Sequence, residues 1–97
     1  MDLWDLGYYS NLAKSLDNII YNAPYFTSVW AAGNDRQSGE NPGDGGYDYL
    51  QGYQTAKNTI IVAAVNEVLN YTGPGSVNMS SFSSWGPTDD GRIKPDI

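Results

Sequence analysis

One run of apolar residues limits the folds open to this chain more than any other feature. Residues 59–65 (TIIVAAV) hold six apolar side chains in seven positions, without alternation between apolar and polar. Such a run predicts a strand buried on both faces, which is typical of a parallel sheet covered by helices. A shorter candidate strand at 26–32 (FTSVWAA) ends at Gly33. We therefore expect two strands of a parallel sheet.

A helical pattern precedes the shorter strand. Five apolar residues share one helical face: Leu12, Leu16, Ile19, Ile20 and Ala23. They predict a helix over about 10–23 that packs this face on the sheet. Ser10 or Asn11 supplies the N-cap, and Pro24 disfavours helical geometry at the residue before it. The order of helix, strand, connection and strand predicts a slice of an α/β fold.

The absence of two residue types excludes several kinds of site. The chain has no histidine and no cysteine, which excludes disulfides, thiol nucleophiles and their metal sites. Without histidine, these 97 residues cannot by themselves assemble a Ser-His-Asp triad. The net charge is −6, from 5 basic and 11 acidic residues, and no basic cluster is present. We therefore expect neither nucleic acid nor a membrane as a partner.

The residues that follow the shorter strand form the first candidate site. Ala31-Ala32-Gly33-Asn34 lies at the carboxyl edge of the predicted sheet, where ligands bind in open α/β folds. The asparagine amide can donate to developing negative charge without being charged itself. Asparagine after glycine is also an ordinary turn residue, and this motif alone favours the turn.

A serine-rich segment follows the longer strand. Residues 80–87 (SSFSSWGP) lack the G-x-S-x-G pattern of a nucleophile elbow, and no histidine is available to activate a hydroxyl. We predict a structural role, in which serine hydroxyls bond to the backbone while Phe82 and Trp85 are buried.

Further on, Asp90-Gly91 predicts a turn, with Arg92 paired to a nearby carboxylate.

The connection at 34–58 is long, polar and rich in glycine. Four of its residues offer oxygen ligands for calcium: Asp35, Glu40, Asp44 and Asp48. The alternative is a solvated surface loop pinned by the packing of its tyrosines, and the residues by themselves favour this alternative. A connection of this length in a compact domain is typical of a functional segment.

Four blocks carry a family resemblance when they are taken in order. They are 31–34 (AAGN), 59–66 (TIIVAAVN), 81–87 (SFSSWGP) and 90–97 (DGRIKPDI). This order resembles the middle of a subtilase catalytic domain, although the long 35–58 loop and Ala63-Ala64 depart from the simplest members. The resemblance implies a slice of a subtilisin-like three-layer α/β fold, with a mostly parallel sheet and flanking helices. Residues 1–97 would then be part of one catalytic domain.

The resemblance assigns roles to the residues that match the family's motif. Asn34 matches the asparagine whose side-chain amide helps to form the oxyanion hole. Ala31, Ala32 and Gly33 match the wall of the substrate pocket, and residues 1–7 match a region near the cleft. The family's aspartate and histidine precede this region and its serine follows it. We therefore expect an internal piece of the domain that is inactive alone.

The same resemblance implies a reaction and its setting. It implies a serine endopeptidase that cleaves proteins or peptides through an acyl-enzyme, with the remainder of its own catalytic domain as a second partner. It implies no cofactor within these residues and allows structural calcium in the parent protein. It also implies a protein that is secreted, periplasmic or at the cell surface.

Two other functions stay open on the sequence. A non-catalytic relative would retain the fold after losing the triad. A small glycan- or peptide-binding module would stack aromatic residues on its ligand, and eight tyrosines and three tryptophans slightly favour it. The ordered motif blocks favour the peptidase. With two strands and one helix, we expect the 97 residues not to fold stably alone.

Overall fold

The computed structural model describes residues 3–97, and Met1 and Asp2 lie outside the described part. Its regular elements are the helix α1 (Asn11–Tyr21), the strands β1 (Val29–Ala31) and β2 (Ile60–Val62), and four short 3-10 turns. The turns lie at Leu3–Asp5, Pro42–Asp44, Gly52–Thr55 and Pro74–Ser76. The element order agrees with the predicted α/β slice.

The helix begins and ends close to its predicted bounds. Ser10 is the N-cap, and its Oγ accepts a hydrogen bond from the Ala13 N–H at 3.4 Å. The residues of α1 that are buried are Ala13 and Asp17. Within residues 3–97, no helix has the length and apolar character needed to cross a bilayer.

The prediction that the apolar stripe of α1 packs on the sheet is wrong for the described residues. Leu12 is 52% exposed and Ile19 is 60% exposed. The helix instead packs on the Gly52–Thr55 turn, which it reaches through its Ala13 and Asp17 side. Leu16, Ile20 and Ala23 are half-buried, so residues 3–97 cover the stripe only in part.

The two strands are parallel, as predicted. Val29 lies opposite Ile60, and Ala31 lies opposite Val62. Beyond the strand ends, the Ala32 N–H donates to the Val62 carbonyl at 2.8 Å. The pairing therefore continues into the residues that follow β1.

The other edge of β2 is occupied by the last residues of the chain. The Asp96 N–H donates to the Ile61 carbonyl at 2.8 Å, and the Ala63 N–H donates to the Ile97 carbonyl at 2.8 Å. Residues 96–97 thus pair with the edge of β2 that β1 leaves free.

The prediction that β2 is buried on both faces is wrong for this part of the chain. Ile61 is fully buried in a cluster with Ala32 and Leu50. Ile60, which points to the opposite face because side chains alternate along a strand, is 38% exposed. All three residues of β1 are exposed as well. Residues 3–97 therefore cover one face of the sheet and leave the other open.

The long connection at 34–58 supplies the covering layer. Leu50 and Ala56 are fully buried, and Tyr49 is 2% exposed. Tyr53 lies against Trp30, with ring centroids 4.9 Å apart. Tyrosines do pin this connection, as predicted, but it is not only a solvated surface loop. It provides much of the core, because β1 and β2 contribute few buried side chains.

Candidate functional site

The first candidate site, Ala31-Ala32-Gly33-Asn34, lines one cavity at the carboxyl ends of both strands. The cavity has a volume of about 320 Å³. Its lining residues are Val29, Trp30, Ala31, Ala32, Gly33, Asn34, Val62, Ala63, Ala64 and Ser83. The fold thus brings Ala31, Ala32, Gly33 and Asn34 together at the sheet edge where open α/β folds bind ligands.

Gly33 turns the chain out of the sheet. Its φ of +104° lies in the region that residues with a side chain rarely adopt. A Cβ at this position would lie 3.2 Å from Gln54 Nε2 and 3.2 Å from Ser84 Oγ. Both the backbone angle and the crowding require glycine here, and the turn carries the chain from buried Ala32 to exposed Asn34.

Asn34 presents a neutral donor at the rim of the cavity. Its side chain is exposed and lines the cavity. An amide NH₂ provides two N–H donors without a charge that would need to be desolvated. The other lining residues are apolar apart from the Ser83 hydroxyl and backbone groups. The arrangement can hold an apolar group while donating a hydrogen bond to an oxygen at the rim.

Ser84 holds the backbone on both sides of Asn34. The Ser84 N–H donates to the Gly33 carbonyl at 2.9 Å. The Asp35 N–H donates to Ser84 Oγ at 2.9 Å. Ser84 itself is fully buried. The turn that carries Asn34 is therefore fastened to the serine-rich segment.

Arg36 makes a second connection between these segments. Its Nε donates to the Ser81 carbonyl and its Nη2 to the Ser80 carbonyl, each at 2.8 Å. The guanidinium carbon lies 4.2 Å from the centroid of the Trp85 ring, and Tyr47 stacks on Trp85 at 4.9 Å. No local sequence pattern points to Arg36, because its partners lie more than forty residues away in the chain.

The predicted structural role of the serine-rich segment is confirmed. Ser83 Oγ accepts from the Ala64 N–H at 3.0 Å, and Ser80 Oγ donates to Asn66 Oδ1 at 3.2 Å. The prediction that Phe82 is buried is wrong, since its side chain is 44% exposed. The buried hydroxyls of Ser83 and Ser84 bond to backbone N–H groups, while Ser81 and Phe82 lie at the surface.

None of residues 3–7 lines the cavity. Gly7 is buried, where its N–H donates to the Leu50 carbonyl at 2.6 Å and its carbonyl accepts from the Asp89 N–H at 2.9 Å. Trp4 is 67% exposed and contacts Tyr8 edge-on. The expectation that residues 1–7 lie near the cleft concerns Met1 and Asp2 as well, which are outside the described part.

The acidic residues of the long connection do not gather into one site. Among residues 3–97, no three histidine, cysteine or acidic side chains come together as a metal site would require. Asp48 has a left-handed φ of +62°, and its Oδ1 is buried without a hydrogen-bond partner. Burial, together with the Asp89 and Asp44 carboxylates, raises the pKa of Asp48.

The turn predicted at Asp90-Gly91 is confirmed. Gly91 has a φ of +83°, and its N–H donates to the Thr88 carbonyl at 2.9 Å. The Arg92 Nε lies 3.0 Å from both carboxylate oxygens of Asp90. Arg92 Nη2 also donates to the Thr55 carbonyl at 2.8 Å, so the turn is fastened to the long connection.

A buried lysine close to the end of the chain supports the edge of β2 that residues 96–97 occupy. Lys94 is 7% exposed, and its Nζ donates to the Thr59 carbonyl at 3.0 Å and to Asp96 Oδ2 at 2.7 Å. Asp96 Oδ2 also accepts from the Ile61 N–H at 2.7 Å. Burial opposes ionisation of Asp96, but these hydrogen bonds and the Lys94 charge lower its pKa.

Comparison with known proteins gives one match. The family described as the subtilase family matches residues 5–97, which is nearly the whole chain. No curated protein and no solved structure matches the chain.

Proposed function

Because the chain belongs to the subtilase family of serine peptidases, we propose that Asn34 is an oxyanion-hole donor of an endopeptidase. Ala31, Ala32 and Gly33 form part of the wall of its substrate pocket. The observation that carries this proposal is the shared cavity, in which an exposed amide stands at the rim of an apolar pocket.

The proposed role of Asn34 follows from the charge that develops in the reaction. Attack on a peptide carbonyl converts its oxygen into an oxyanion, which a positioned N–H donor stabilises more strongly than the ground-state carbonyl. A neutral amide suits this task because it adds no charge of its own. A backbone N–H at the nucleophile would supply the second donor, and hydrolysis would proceed through an acyl-enzyme.

The remainder of the catalytic domain supplies the triad in this proposal. The 97 residues contain no histidine, so the general base must come from outside them. By themselves they are expected to bind the oxyanion poorly and to hydrolyse nothing. This division of the machinery also requires a surface against which the rest of the domain can pack.

The uncovered surfaces of the described residues support such packing. On the open face of the sheet, Ile60 is 38% exposed and Val29, which also lines the cavity, is 59% exposed. Leu12 and Ile19 are more than half exposed on α1. Apolar side chains exposed on a sheet face and on a helix in this way mark surfaces that pack against other protein. We assign it to the remainder of the same catalytic domain, because parallel sheets are normally covered on both faces.

The substrate is a protein or peptide, with the side chain beside the cleaved bond in the cavity. The acyl-enzyme route needs no cofactor. On family grounds we also propose that the protein acts outside the cytoplasm. The aromatic-rich binding module is less well supported, since each tryptophan contacts a tyrosine of the same chain: Trp4 with Tyr8, Trp30 with Tyr53, and Trp85 with Tyr47.

Steady-state kinetics of the full-length protein on a chromogenic peptide anilide test the proposal. Asn34→Ala is expected to lower kcat by about 100- to 1,000-fold while KM changes little. Asn18→Ala, an exposed asparagine on α1, is the matched control and should leave both constants unchanged. An unchanged kcat in Asn34→Ala overturns the oxyanion role, and an inactive wild-type protein points to a non-catalytic relative.

A further inference from the structure

Both peptide groups that flank Asn34 are bound to a single residue. The carbonyl of the Gly33–Asn34 peptide accepts from the Ser84 N–H, and the N–H of the Asn34–Asp35 peptide donates to Ser84 Oγ. Each hydrogen bond is 2.9 Å long. Since the two peptide planes set φ and ψ of Asn34, Ser84 determines the direction in which the Asn34 Cα–Cβ bond points.

The Ser84 hydroxyl has a well-defined position. Ser84 is fully buried, and its Oγ lies 3.2 Å from the point that a Cβ on Gly33 would occupy. Arg36, two residues beyond Asn34, joins the same two segments by donating to the carbonyls of Ser80 and Ser81. The serine-rich segment and the Asn34 turn are thus joined at several points, and the buried Ser84 hydroxyl is the contact that bonds directly to the Asn34–Asp35 peptide.

An exposed donor needs this kind of support more than a buried one does. The Asn34 side chain lies at the rim of the cavity, where little packing can restrain it. Displacement of a catalytic group by about 1 Å can cost on the order of 100-fold in rate. The backbone conformation at Asn34 therefore limits the directions in which its side-chain amide can point.

We propose that Ser84 is a positioning residue for the oxyanion-hole amide of Asn34. It acts through Asn34 and does not touch the substrate. This inference rests on the function proposed above, and it adds a second residue, fifty positions along the chain, on which the rate of the chemical step depends.

The test compares four variants of the full-length protein on the same peptide anilide: Ser84→Ala, Asn34→Ala, the double variant and Ser80→Ala. Rates are normalised to active sites titrated with a covalent serine-directed phosphonate, so that only folded enzyme is counted. Ser84→Ala is expected to lower kcat by about 10-fold with KM nearly unchanged. In the Asn34→Ala background, the same substitution should lower kcat no further, because the donor it positions is gone.

Ser80→Ala is the matched control. It removes another buried serine hydroxyl from the same segment, one that donates to Asn66, and it keeps the Ser80 carbonyl that accepts from Arg36. It should leave kcat and KM unchanged. An equal loss of kcat from Ser84→Ala in both backgrounds would show a general structural role and overturn the proposal.

The failure of each proposal gives a different result. If Asn34→Ala lowers kcat and Ser84→Ala does not, Ser84 is not a positioning residue while the oxyanion role of Asn34 stands. If Asn34→Ala has no effect, the proposed function itself fails. Should Ser84→Ala not accumulate as folded protein, Ser84→Cys replaces it, since a thiol is a weaker acceptor. Its kcat should fall between those of wild type and Asn34→Ala, and an unchanged kcat would overturn the proposal.

Discussion

The Tyr9 hydroxyl donates a 2.6 Å hydrogen bond to Asp17 Oδ2 and so joins the segment before α1 to the middle of the helix. The same carboxylate accepts from the N–H groups of Lys57 and Asn58, at 2.7–3.0 Å. One buried side chain thus links three parts of the chain. Burial, followed by this hydrogen bond to Asp17, raises the pKa of Tyr9 to about 12.

The first prediction concerns the stability that this carboxylate provides. Asp17→Asn places an NH₂ group among N–H donors and is expected to lower the free energy of unfolding by about 2–3 kcal/mol, because hydrogen bonds to a charged acceptor are lost. Urea denaturation of the full-length protein measures the change. Glu67→Gln, at an exposed position, removes the same charge and should change stability by less than about 0.5 kcal/mol. Equal stabilities for the two variants would contradict the assignment.

The second prediction concerns acid pH. Burial opposes ionisation of Asp17, but the hydrogen bonds from Tyr9, Lys57 and Asn58 outweigh it and lower the pKa of the carboxyl below its ordinary value. The unfolded state therefore binds protons more readily than the folded state does. The stability that Asp17 contributes is present above the unfolded pKa of about 3.9, and it is lost as the pH falls through the folded pKa.

Thermal unfolding measured between neutral and acid pH tests whether the contribution of Asp17 to stability is lost as the pH falls. The difference in Tm between wild type and Asp17→Asn should be largest near neutral pH and should shrink as the pH falls below about 4. A difference that stays constant over this range would show that the carboxylate is not what stabilises the fold at Asp17.

The third prediction concerns a carboxylate that destabilises the fold. Asp48 Oδ1 is buried without a partner, and the nearby Asp89 carboxylate adds like charge. Asp48→Asn removes the charge and adds an N–H donor, at a left-handed position that asparagine tolerates well. We expect the free energy of unfolding to rise by about 1 kcal/mol at neutral pH.

The pH dependence of this gain has the opposite sign to that of Asp17. Because the folded pKa of Asp48 is raised, protonation stabilises the fold, and the advantage of the Asn variant should disappear as the pH falls through that pKa. Urea denaturation at neutral and acid pH measures both values. Glu40→Gln, an exposed change in the same loop, is the control. Destabilisation by Asp48→Asn at neutral pH would refute the account.

Local patterns predicted several elements well because they depend only on neighbouring residues. The capped start of α1, the turn at Asp90-Gly91 and the position of Asn34 after a strand follow from periodicity and turn chemistry. The parallel pairing of β1 and β2 followed from the unbroken apolar run at 59–65. The sequence predicted a sheet covered on both faces, whereas residues 3–97 bury only one of them.

The sequence by itself determined which functional groups this chain can contribute, and the tertiary structure decided which contacts position those groups. The absence of histidine and the order of the four motif blocks are properties of the sequence alone. The hydrogen bond that fixes the backbone after Asn34 runs from the Asp35 N–H to Ser84 Oγ, 49 positions along the chain. The burial of Asp17, a charged residue on the polar side of an amphipathic helix, likewise depends on Lys57 and Asn58. Such contacts have no periodic signature, since they exist only after the chain has folded and brought distant backbone groups together.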